Sequence, residues 1–502
     1  MSTKSSSVTL PATDPEKQRT SQRSSSELKE NDVASPSPPA APKLSGLRKA
    51  AILAMLCSAQ FFDIFNACSS IAALPSIGTD LYFTPGMLQW VLAAYTLTFG
   101  SMQVPAGRLS DLYNPKPIFI AGYLAVGIFS ILCGVSIHPI MLLVFRAVSG
   151  IGAAMTIPSA IAMIVINFPE PKEQAKALGM YGAAGAVGNA IGFVVGGVLA
   201  AKASWRWVFH LIGLCTVPFA LLSWFCLPRT PTNAHAVKRS MDLPGITILT
   251  GGLILFVYAI SDGGESGWGT PRIITTLVFS IVFFIGFFIV ERYVKDPAIP
   301  PRMWFNKNFA AMFFYSWSVY WNLMSAELLL IQVFQDLYHW SPISAATHCI
   351  PLGITGLFST IIVGTYGHLI PRRYNLISGQ LLMLTALVLF ALADTPSKYW
   401  SHIFPGMIIN MVGLGQAYVG ASATMMSNAP AGEEGVVGAI LYTSFQIGST
   451  VGIAVVSSIA FGVNHKQPGD ALSQFRGYAA AFWSQVAMHG VCVVMSVLFV
   501  RD

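Results

Sequence analysis

About fourteen apolar stretches, each roughly 20 residues long, fill nearly all of the chain after its first 45 residues. Each stretch matches the ~30 Å hydrocarbon core of a bilayer. Only a helix satisfies its own backbone hydrogen bonds inside that core, so each stretch is predicted to be a membrane-spanning helix. The chain is therefore expected to be an all-α, polytopic membrane protein. Its functional groups are expected at the few polar positions that lie at membrane depth.

The composition excludes ordinary globular and disordered proteins. Charged residues make up 10% of the 502 residues and hydrophobic residues 54%, whereas soluble domains are about 25% charged. The net charge of +7 is attributed to basic loops on one side of a membrane, so we expect no nucleic acid partner.

The sequence contains no Walker loop, metal-ligand cluster, nucleophile elbow or kinase signature. The seven cysteines lie in apolar segments without a CxxC pair or a Cys/His cluster, and we interpret them as packing residues. We therefore expect no metal, no cofactor and no enzymatic activity. A membrane sensor is also disfavoured, because no large folded polar domain accompanies the spans.

Residues 1–47 are rich in Ser, Pro, Lys and Glu, and we predict a disordered cytoplasmic tail there. Residues 48–228 and 309–502 are predicted to be two six-helix halves, and residues 229–308 to be linkers with two inserted helices. The predicted spans are Ala50–Leu74, Met87–Leu109, Ile118–Ile137, Ile140–Ile161, Ala177–Ala200, Val208–Leu227, Leu243–Ile260, Ile273–Val290, Phe309–Val333, Ser344–Tyr366, Leu376–Ala393, Ile403–Met425, Val436–Phe461 and Ala479–Val500.

Two observations support this arrangement. Of the 29 Lys and Arg residues, 22 lie on the side of the N-terminal tail and 6 on the other side, with Arg146 inside a span. Both termini are therefore predicted to be cytoplasmic. The plasma membrane is the default location, with the vacuolar membrane as the alternative. The turn Gly107–Asp111 with Lys116 ends the second span, and the similar basic turn Gly367–Arg373 ends the tenth, which is typical of the parallel repeats of secondary transporters.

Charged residues inside spans mark candidate sites, because each costs ~2.5–3.5 kcal/mol at membrane depth on insertion scales. Asp63, with Asn66 on the same helical face, is either a proton or substrate site or a structural hydrogen-bonding group. Arg146 must contact a carboxylate, water or substrate, unless it extends to the interface. Glu327 lines a cavity or lies near the outer interface, and Asn189 is a further polar candidate.

Span 5 carries glycines at spacings of three and four residues. Gly188, Gly192, Gly196 and Gly197 are expected to let helices pack closely and rock against one another. Other side chains either line an amphipathic cavity or, for aromatics near span ends, anchor the protein at the interface. These are Gln103, Asn322, Gln332, Gln416, Gln446, Trp90, Tyr95, Phe193, Trp317, Tyr320, Trp321 and Tyr442.

Together these motifs resemble the major facilitator superfamily, and specifically its fourteen-span drug:proton antiporter branch in fungi. The matching features are the loop 2–3 turn (Gly107, Arg108, Asp111, Lys116), Arg146 with Gly150 and Gly152, the span 5 glycines, Asp63 with Asn66, and Trp205–Phe209. The sequence departs from the family pattern at Leu112 and Asn114, and at Phe193, where the antiporter motif has proline.

The resemblance implies a monomeric major facilitator fold whose halves rock around a central small-molecule site in the bilayer. Asp63 and Arg146 would couple transport to protons, and Arg108, Asp111 and Lys116 would form a cytoplasmic gate. Proton-coupled export of a xenobiotic or secreted metabolite is the favoured function. The alternative, which Phe193 favours, is uptake or facilitated transport of a small polar solute such as ammonium or borate.

Overall fold

The computed structural model describes residues 46–83, 88, 90–228, 242–294, 297, 299, 303–304, 307–427, 429, 433–466 and 471–499. The described residues from Ala50 onward belong to one compact unit. Residues 46–49 begin the first helix. The rest of the predicted tail, residues 1–45, lies outside the described residues.

The described part of the chain holds fourteen helices of 17 residues or more and no strand, which confirms the predicted all-α class. They are α1 Gly46–Asp80, α2 Trp90–Tyr113, α3 Pro115–Gly134, α4 Pro139–Asn167, α5 Pro171–Lys202, α6 Trp205–Cys226, α7 Leu243–Ser266, α8 Pro271–Tyr293, α9 Lys307–Gln332, α10 Ile350–Tyr366, α11 Arg372–Ala391, α12 Phe404–Ser427, α13 Glu434–Lys466 and α14 Ala471–Phe499. A short helix, Pro342–His348, precedes α10, and single turns of π- or 3₁₀-helix span Val333–Leu337, Gly367–Leu369, Pro396–Lys398 and Tyr399–Ile403.

Twelve of these helices are both long and apolar enough to cross a membrane. The two others, α2 and α9, also carry polar side chains. Both bury those side chains inside the bundle: Ser101, Gln103, Arg108 and Ser110 on α2, and Ser316, Ser318, Asn322, Ser325 and Glu327 on α9. Their lower hydropathy therefore reflects an interior position, where protein rather than lipid surrounds the polar groups.

Several helices extend well past the apolar stretches that predicted them. The first runs to Asp80 rather than Leu74, and α5 begins at Pro171 rather than Ala177. Hydropathy reports only the length of chain in the hydrocarbon core, whereas local capping decides where a helix stops. Asn114 at the start of α3 and Ser204 at the start of α6 provide such caps, since each side chain accepts a hydrogen bond from a backbone N–H two residues on.

The helices pack in a pattern that repeats. In the first half α3 packs against α4 and α6, and α4 also packs against α2; in the second half α11 packs against α12 and α14, and α12 also packs against α10. The halves meet along α2 with α13 and along α5 with α10. The inserted α7 packs on α2, α13 and α8. The α8 surface is rich in exposed Val, Ile and Phe, as expected for a helix that faces lipid.

Small residues form the contact between α5 and α10, which we call the α5–α10 seam. A Cβ on Gly179 would lie 2.5 Å from the Thr360 carbonyl oxygen, and a Cβ on Gly364 would lie 2.9 Å from the Ala175 carbonyl oxygen. The two backbones therefore touch without interlocking side chains, as is common where membrane helices associate closely.

Candidate functional site

A cavity lies between the two halves of the bundle. Residues of α1 and α5 line it from the first half, and residues of α9, α10 and α12 line it from the second. Its walls are mostly aliphatic side chains and glycines. The polar side chains in the lining are Gln60, Asn189, Tyr320, Glu327, Thr360, Asn410 and Tyr418. A mostly apolar chamber with a few polar groups is the usual form of a small-molecule site.

Glu327 is the only charged residue in the described lining of this cavity. Its side chain is 7% exposed. The Asn189 side-chain amide on α5 donates a hydrogen bond to Glu327 Oε2 on α9, with an N···O distance of 3.1 Å. This bond crosses from one half to the other. The structure therefore brings together two of the residues singled out from the sequence, and both face the same chamber.

Asp63 lies outside the cavity lining, although its neighbour Ile64 belongs to it. The Tyr95 hydroxyl of α2 donates a hydrogen bond to Asp63 Oδ1 at 2.5 Å. One residue corresponds to about 100° of rotation around a helix axis, so neighbours on α1 face different surroundings. The Asp63 carboxylate is thus directed into the first half rather than into the chamber between the halves.

Arg146 is fully buried and makes its contacts within the first half. Its Nη1 donates to Asn66 Oδ1 at 2.8 Å, and its Nε donates to the Val91 carbonyl oxygen at 2.9 Å. The Tyr95 ring centroid lies 4.7 Å from the guanidinium carbon, within the range of a cation–π contact. Tyr95 therefore links Arg146 to Asp63, and we call Asp63, Asn66, Tyr95 and Arg146 the first-half polar cluster.

At the end of the bundle that carries the α2–α3 turn, Asp111 ties the two halves together. Its Oδ1 accepts a hydrogen bond from the Gly435 N–H, and its Oδ2 accepts one from the Val436 N–H, both at 2.8 Å. These amides lie at the start of α13, where backbone N–H groups lack partners within the helix and the helix dipole favours an anion. Gly107 makes this approach possible, because a Cβ there would lie 2.6 Å from the Gly435 carbonyl oxygen.

The two basic residues of this turn, Arg108 and Lys116, have different surroundings. Arg108 is 2% exposed, within α2. Lys116 instead binds the end of α6, where its Nζ donates to the carbonyl oxygens of Trp224 and Leu227 at 2.8 and 2.5 Å. A cation at the C-terminus of a helix satisfies carbonyl groups that have no partner within the helix. These contacts of Lys116 lie within the first half, whereas those of Asp111 join the two halves.

The four α5 glycines singled out from the sequence fall into two groups. Gly188, Gly192 and Gly196 lie against the backbone of α1, where an added Cβ would contact Phe61, Phe65 and Ser69 respectively. A Cβ on Gly197 would meet nothing within 4 Å. The first three therefore set the close packing of α1 on α5, and Gly197 has no part in it.

A hydrogen-bonded network beside the cavity was not anticipated from the sequence. Gln60 donates to the Tyr320 hydroxyl at 3.4 Å and accepts from the Tyr442 hydroxyl at 3.2 Å; the Tyr442 and Tyr418 hydroxyls lie 2.6 Å apart. It joins α1 to α9, α12 and α13, and we call it the Gln60 network. Gln60 was detectable, since it is a polar residue inside an apolar span, as Asp63 is. For Tyr418 no sequence signal distinguishes a cavity position from ordinary packing.

Asn322, another polar residue named from the sequence, is buried away from the cavity. Asn322 contacts the His489 ring at 3.2 Å, and the other nitrogen of that ring lies 2.6 Å from Gln380 Oε1. These side chains come from α9, α14 and α11, so they form a core of the second half. Of the twelve further polar and aromatic residues named above, Tyr320 alone belongs to the described cavity lining.

Comparisons with known proteins agree with this architecture. Residues 56–453 match the family model of the Major Facilitator Superfamily. The chain is 31% identical to the puromycin resistance protein pur8 of Streptomyces alboniger, covering 88% of this chain and 87% of that protein. It is 28% identical to the multidrug transporter mfsC of Aspergillus fumigatus, with coverages of 84% and 82%. The solved structure of the proton:xylose symporter XylE superposes with a TM-score of 0.66 at 11% identity, covering 91% of this chain and 97% of that one.

Proposed function

The chain belongs to the Major Facilitator Superfamily, and on that premise we propose that it is a proton-coupled exporter of a small molecule, working by alternating access. The superfamily consists of multi-pass membrane transporters rather than enzymes, and similar proteins include a drug resistance protein and a multidrug transporter. The observation that carries the proposal is the cavity between the halves, with polar groups from both halves in its lining. The cargo would be a xenobiotic or a secreted metabolite.

The conformation described above would be the one closed toward the cytoplasm. The predicted orientation places the α2–α3 turn on the cytoplasmic side, where Asp111 binds the first amides of α13. Opening on that side requires α13 to move away from α2 and these two hydrogen bonds to break. The Gln60 network also crosses from the first half to the second, so it must break or rearrange in the same movement.

We assign proton coupling to Asp63 within the first-half polar cluster. An ionised carboxylate only accepts hydrogen bonds, whereas a protonated one also donates. Protonation of Asp63 therefore changes its bond with Tyr95, and the Tyr95 ring lies on the Arg146 guanidinium. The change would affect Arg146 on α4, and it would affect α1 through the hydrogen bond that Arg146 donates to Asn66. The membrane potential contributes ~2.3 kcal/mol per charge per 100 mV to such a cycle.

Proteoliposomes with an entrapped pH dye test this proposal, with puromycin as the first probe because a similar protein confers resistance to it. An imposed puromycin gradient should drive protons in the opposite direction. Proton movement in the same direction as the probe would contradict export and support the uptake alternative, which the Phe193 departure favours. A metabolite comparison between deletion and overexpression strains extends the search to other cargo.

We further propose that the protein is a monomer in the plasma membrane with both termini in the cytoplasm. The 22 to 6 distribution of basic residues between the two sides supports the orientation. Tags at each terminus should be protected from protease in sealed, right-side-out cells and become accessible on permeabilisation. Accessibility of either tag in intact cells would reverse the predicted orientation.

A further inference from the structure

We propose that the tyrosine hydroxyls of the Gln60 network bind the carbonyl oxygen of a neutral amide in the cargo, and that Gln60 displaces this amide when the halves close toward the cytoplasm. The inference rests on the proposed function, since it takes the cavity to be the substrate site. It names a functional group of the cargo, and it gives a side chain of the first half the role of releasing that group.

The side-chain amide of Gln60 occupies a hydrogen-bonding position formed by tyrosines of the second half. Its Oε1 accepts a hydrogen bond from the Tyr442 hydroxyl at 3.2 Å, and its Nε2 donates one to the Tyr320 hydroxyl oxygen at 3.4 Å. Gln60 and Tyr320 both line the cavity. The tyrosines therefore already bind an amide in this conformation, and that amide belongs to the other half of the protein.

Each tyrosine hydroxyl has one proton to donate. The Tyr442 proton is used on Gln60 Oε1, so Tyr418 must be the donor in the Tyr418–Tyr442 contact of 2.6 Å. Tyr320 accepts from Gln60, and its own proton has no acceptor among the described residues. Separation of the halves removes the acceptor of Tyr442 as well. Two O–H donors are then available to a carbonyl oxygen of the cargo, which has two lone pairs to accept them.

The three hydroxyls belong to one aromatic cluster in the second half. The Phe445 side chain is fully buried, and its ring stacks on those of Tyr320 and Tyr418, with centroids 4.7 and 5.5 Å apart. The Tyr442 ring contacts the same ring edge-on, with a centroid distance of 5.2 Å. These rings are carried by α9, α12 and α13, so the donors keep their relative positions when the halves separate. Donors that are already ordered bind a ligand group without the entropic cost of fixing their own side chains.

Closure toward the cytoplasm exchanges one amide for another. The Tyr442 proton cannot serve a cargo carbonyl and Gln60 Oε1 at the same time, so the return of α1 frees the cargo from this donor. The exchange keeps the Tyr442 hydroxyl paired in both states, which avoids the penalty of an unsatisfied buried donor. A cargo without a carbonyl group leaves the donors unpaired while the cytoplasmic side is open. Amides should therefore bind more tightly than molecules of the same shape that lack the carbonyl group.

The test measures equilibrium binding of three tritiated probes to the full-length protein in lipid nanodiscs, without any gradient and with empty nanodiscs as the blank. Benzanilide, phenyl benzoate and trans-stilbene share one shape, two phenyl rings joined by a flat bridge, and the bridge is an amide, an ester and an alkene respectively. The wild type should bind benzanilide about 3- to 10-fold more tightly than stilbene, the range expected for neutral hydrogen bonds. Phenyl benzoate should lie between them.

Two variants separate cargo binding from a purely gating role, because both remove the hydrogen bond between Tyr442 and Gln60. Gln60→Leu removes the competing amide, so the ratio of benzanilide to stilbene affinity should rise. Tyr442→Phe removes the donor, so the same ratio should fall about 3-fold or more. If the network only held the gate closed, neither variant would change the ratio. Tyr315→Phe is the matched control, since the Tyr315 hydroxyl donates to the Leu376 carbonyl outside the described cavity lining.

Equal binding of the three probes by the wild type, no binding of benzanilide, or a ratio that moves in the same direction in Gln60→Leu and Tyr442→Phe would each overturn the inference. Thermal unfolding shows whether each variant is folded, and Tyr320→Phe, which removes the other donor, keeps the test decisive if Tyr442→Phe is not. An amide preference without gradient-driven export would refute the proposed function and leave the amide site standing. Gradient-driven export with unselective binding would refute the amide site alone.

Discussion

Replacing Asp111 by Asn should open the end of the bundle that carries the α2–α3 turn. The Asp111 carboxylate accepts two backbone N–H groups at the start of α13, each at 2.8 Å. An amide offers a single oxygen, so Asp111→Asn keeps at most one of these hydrogen bonds, and its NH₂ group faces the other N–H. The variant also loses the negative charge that favours this position at a helix N-terminus.

The loss of free energy from the closed state can be worked out from these contacts. A hydrogen bond to a charged group contributes ~1.5–3 kcal/mol, and a neutral one ~0.5–1.5 kcal/mol. Losing one charged bond and weakening the other removes about 2–4 kcal/mol, all of it from the closed state, because the bonds join the two halves. At ~1.4 kcal/mol per factor of ten, the ratio of open to closed molecules should rise about 30- to 1,000-fold.

Distances between spin labels measure this shift directly. Tyr113 at the end of α2 and Tyr374 on α11 are 65% and 64% exposed, so both accept labels without disturbing the core. With spin labels at positions 113 and 374 in a background without native cysteines, the distance between the labels should be longer and more broadly distributed in Asp111→Asn than in the parent protein. Asp394→Asn, a carboxylate removed elsewhere, should leave it unchanged. An unaltered distribution in Asp111→Asn would mean that this carboxylate does not hold the end closed.

Three further predictions concern the first half. Asp63→Asn should abolish proton-driven transport in proteoliposomes while retaining exchange of labelled for unlabelled substrate; intact proton-driven transport would disprove its coupling role. Tyr95→Phe removes the hydrogen bond to Asp63 but keeps the ring over the guanidinium. It should therefore cost about 1 kcal/mol of stability in thermal unfolding and slow transport in flux assays without loss of substrate binding. A wild-type flux would contradict this prediction. Gly188→Ala adds a Cβ against the Phe61 carbonyl and Gly197→Ala adds one in open space, so only the former should destabilise, by ~1–3 kcal/mol; equal unfolding temperatures would refute the packing role.

The fold was largely predictable, because the bilayer restricts the chain to helices of known minimum length. Fourteen apolar stretches became fourteen helices, including α2 and α9, whose interior polar residues lower their hydropathy. The residues at which the helices end were less predictable. Proline at position 75 does not stop α1, which continues to Asp80, because helix ends depend on capping and surroundings that an apolar count does not contain.

Some residues of the cavity lining could be named from the sequence, but their contacts with one another could not. Glu327 and Asn189 were both named from the sequence, yet their contact joins residues 138 positions apart in different halves. Depth in the membrane can be read from the position of a residue along its span. The direction of a side chain around the helix axis cannot, and that direction separates Asp63, bound to Tyr95, from Ile64, which lines the cavity.

The α5–α10 seam has a consequence for the kinetics of transport. Where backbone meets backbone, as at Gly179 and Gly364, no side chains have to disengage before one helix tilts on the other. The activation enthalpy of the conformational cycle should therefore come from the discrete polar bonds between the halves, which are those of Asp111, those of the Gln60 network and the bond from Asn189 to Glu327. Turnover at low temperature would then depend on how many of these bonds break together, and a variant that lacks one should show a shallower Arrhenius slope.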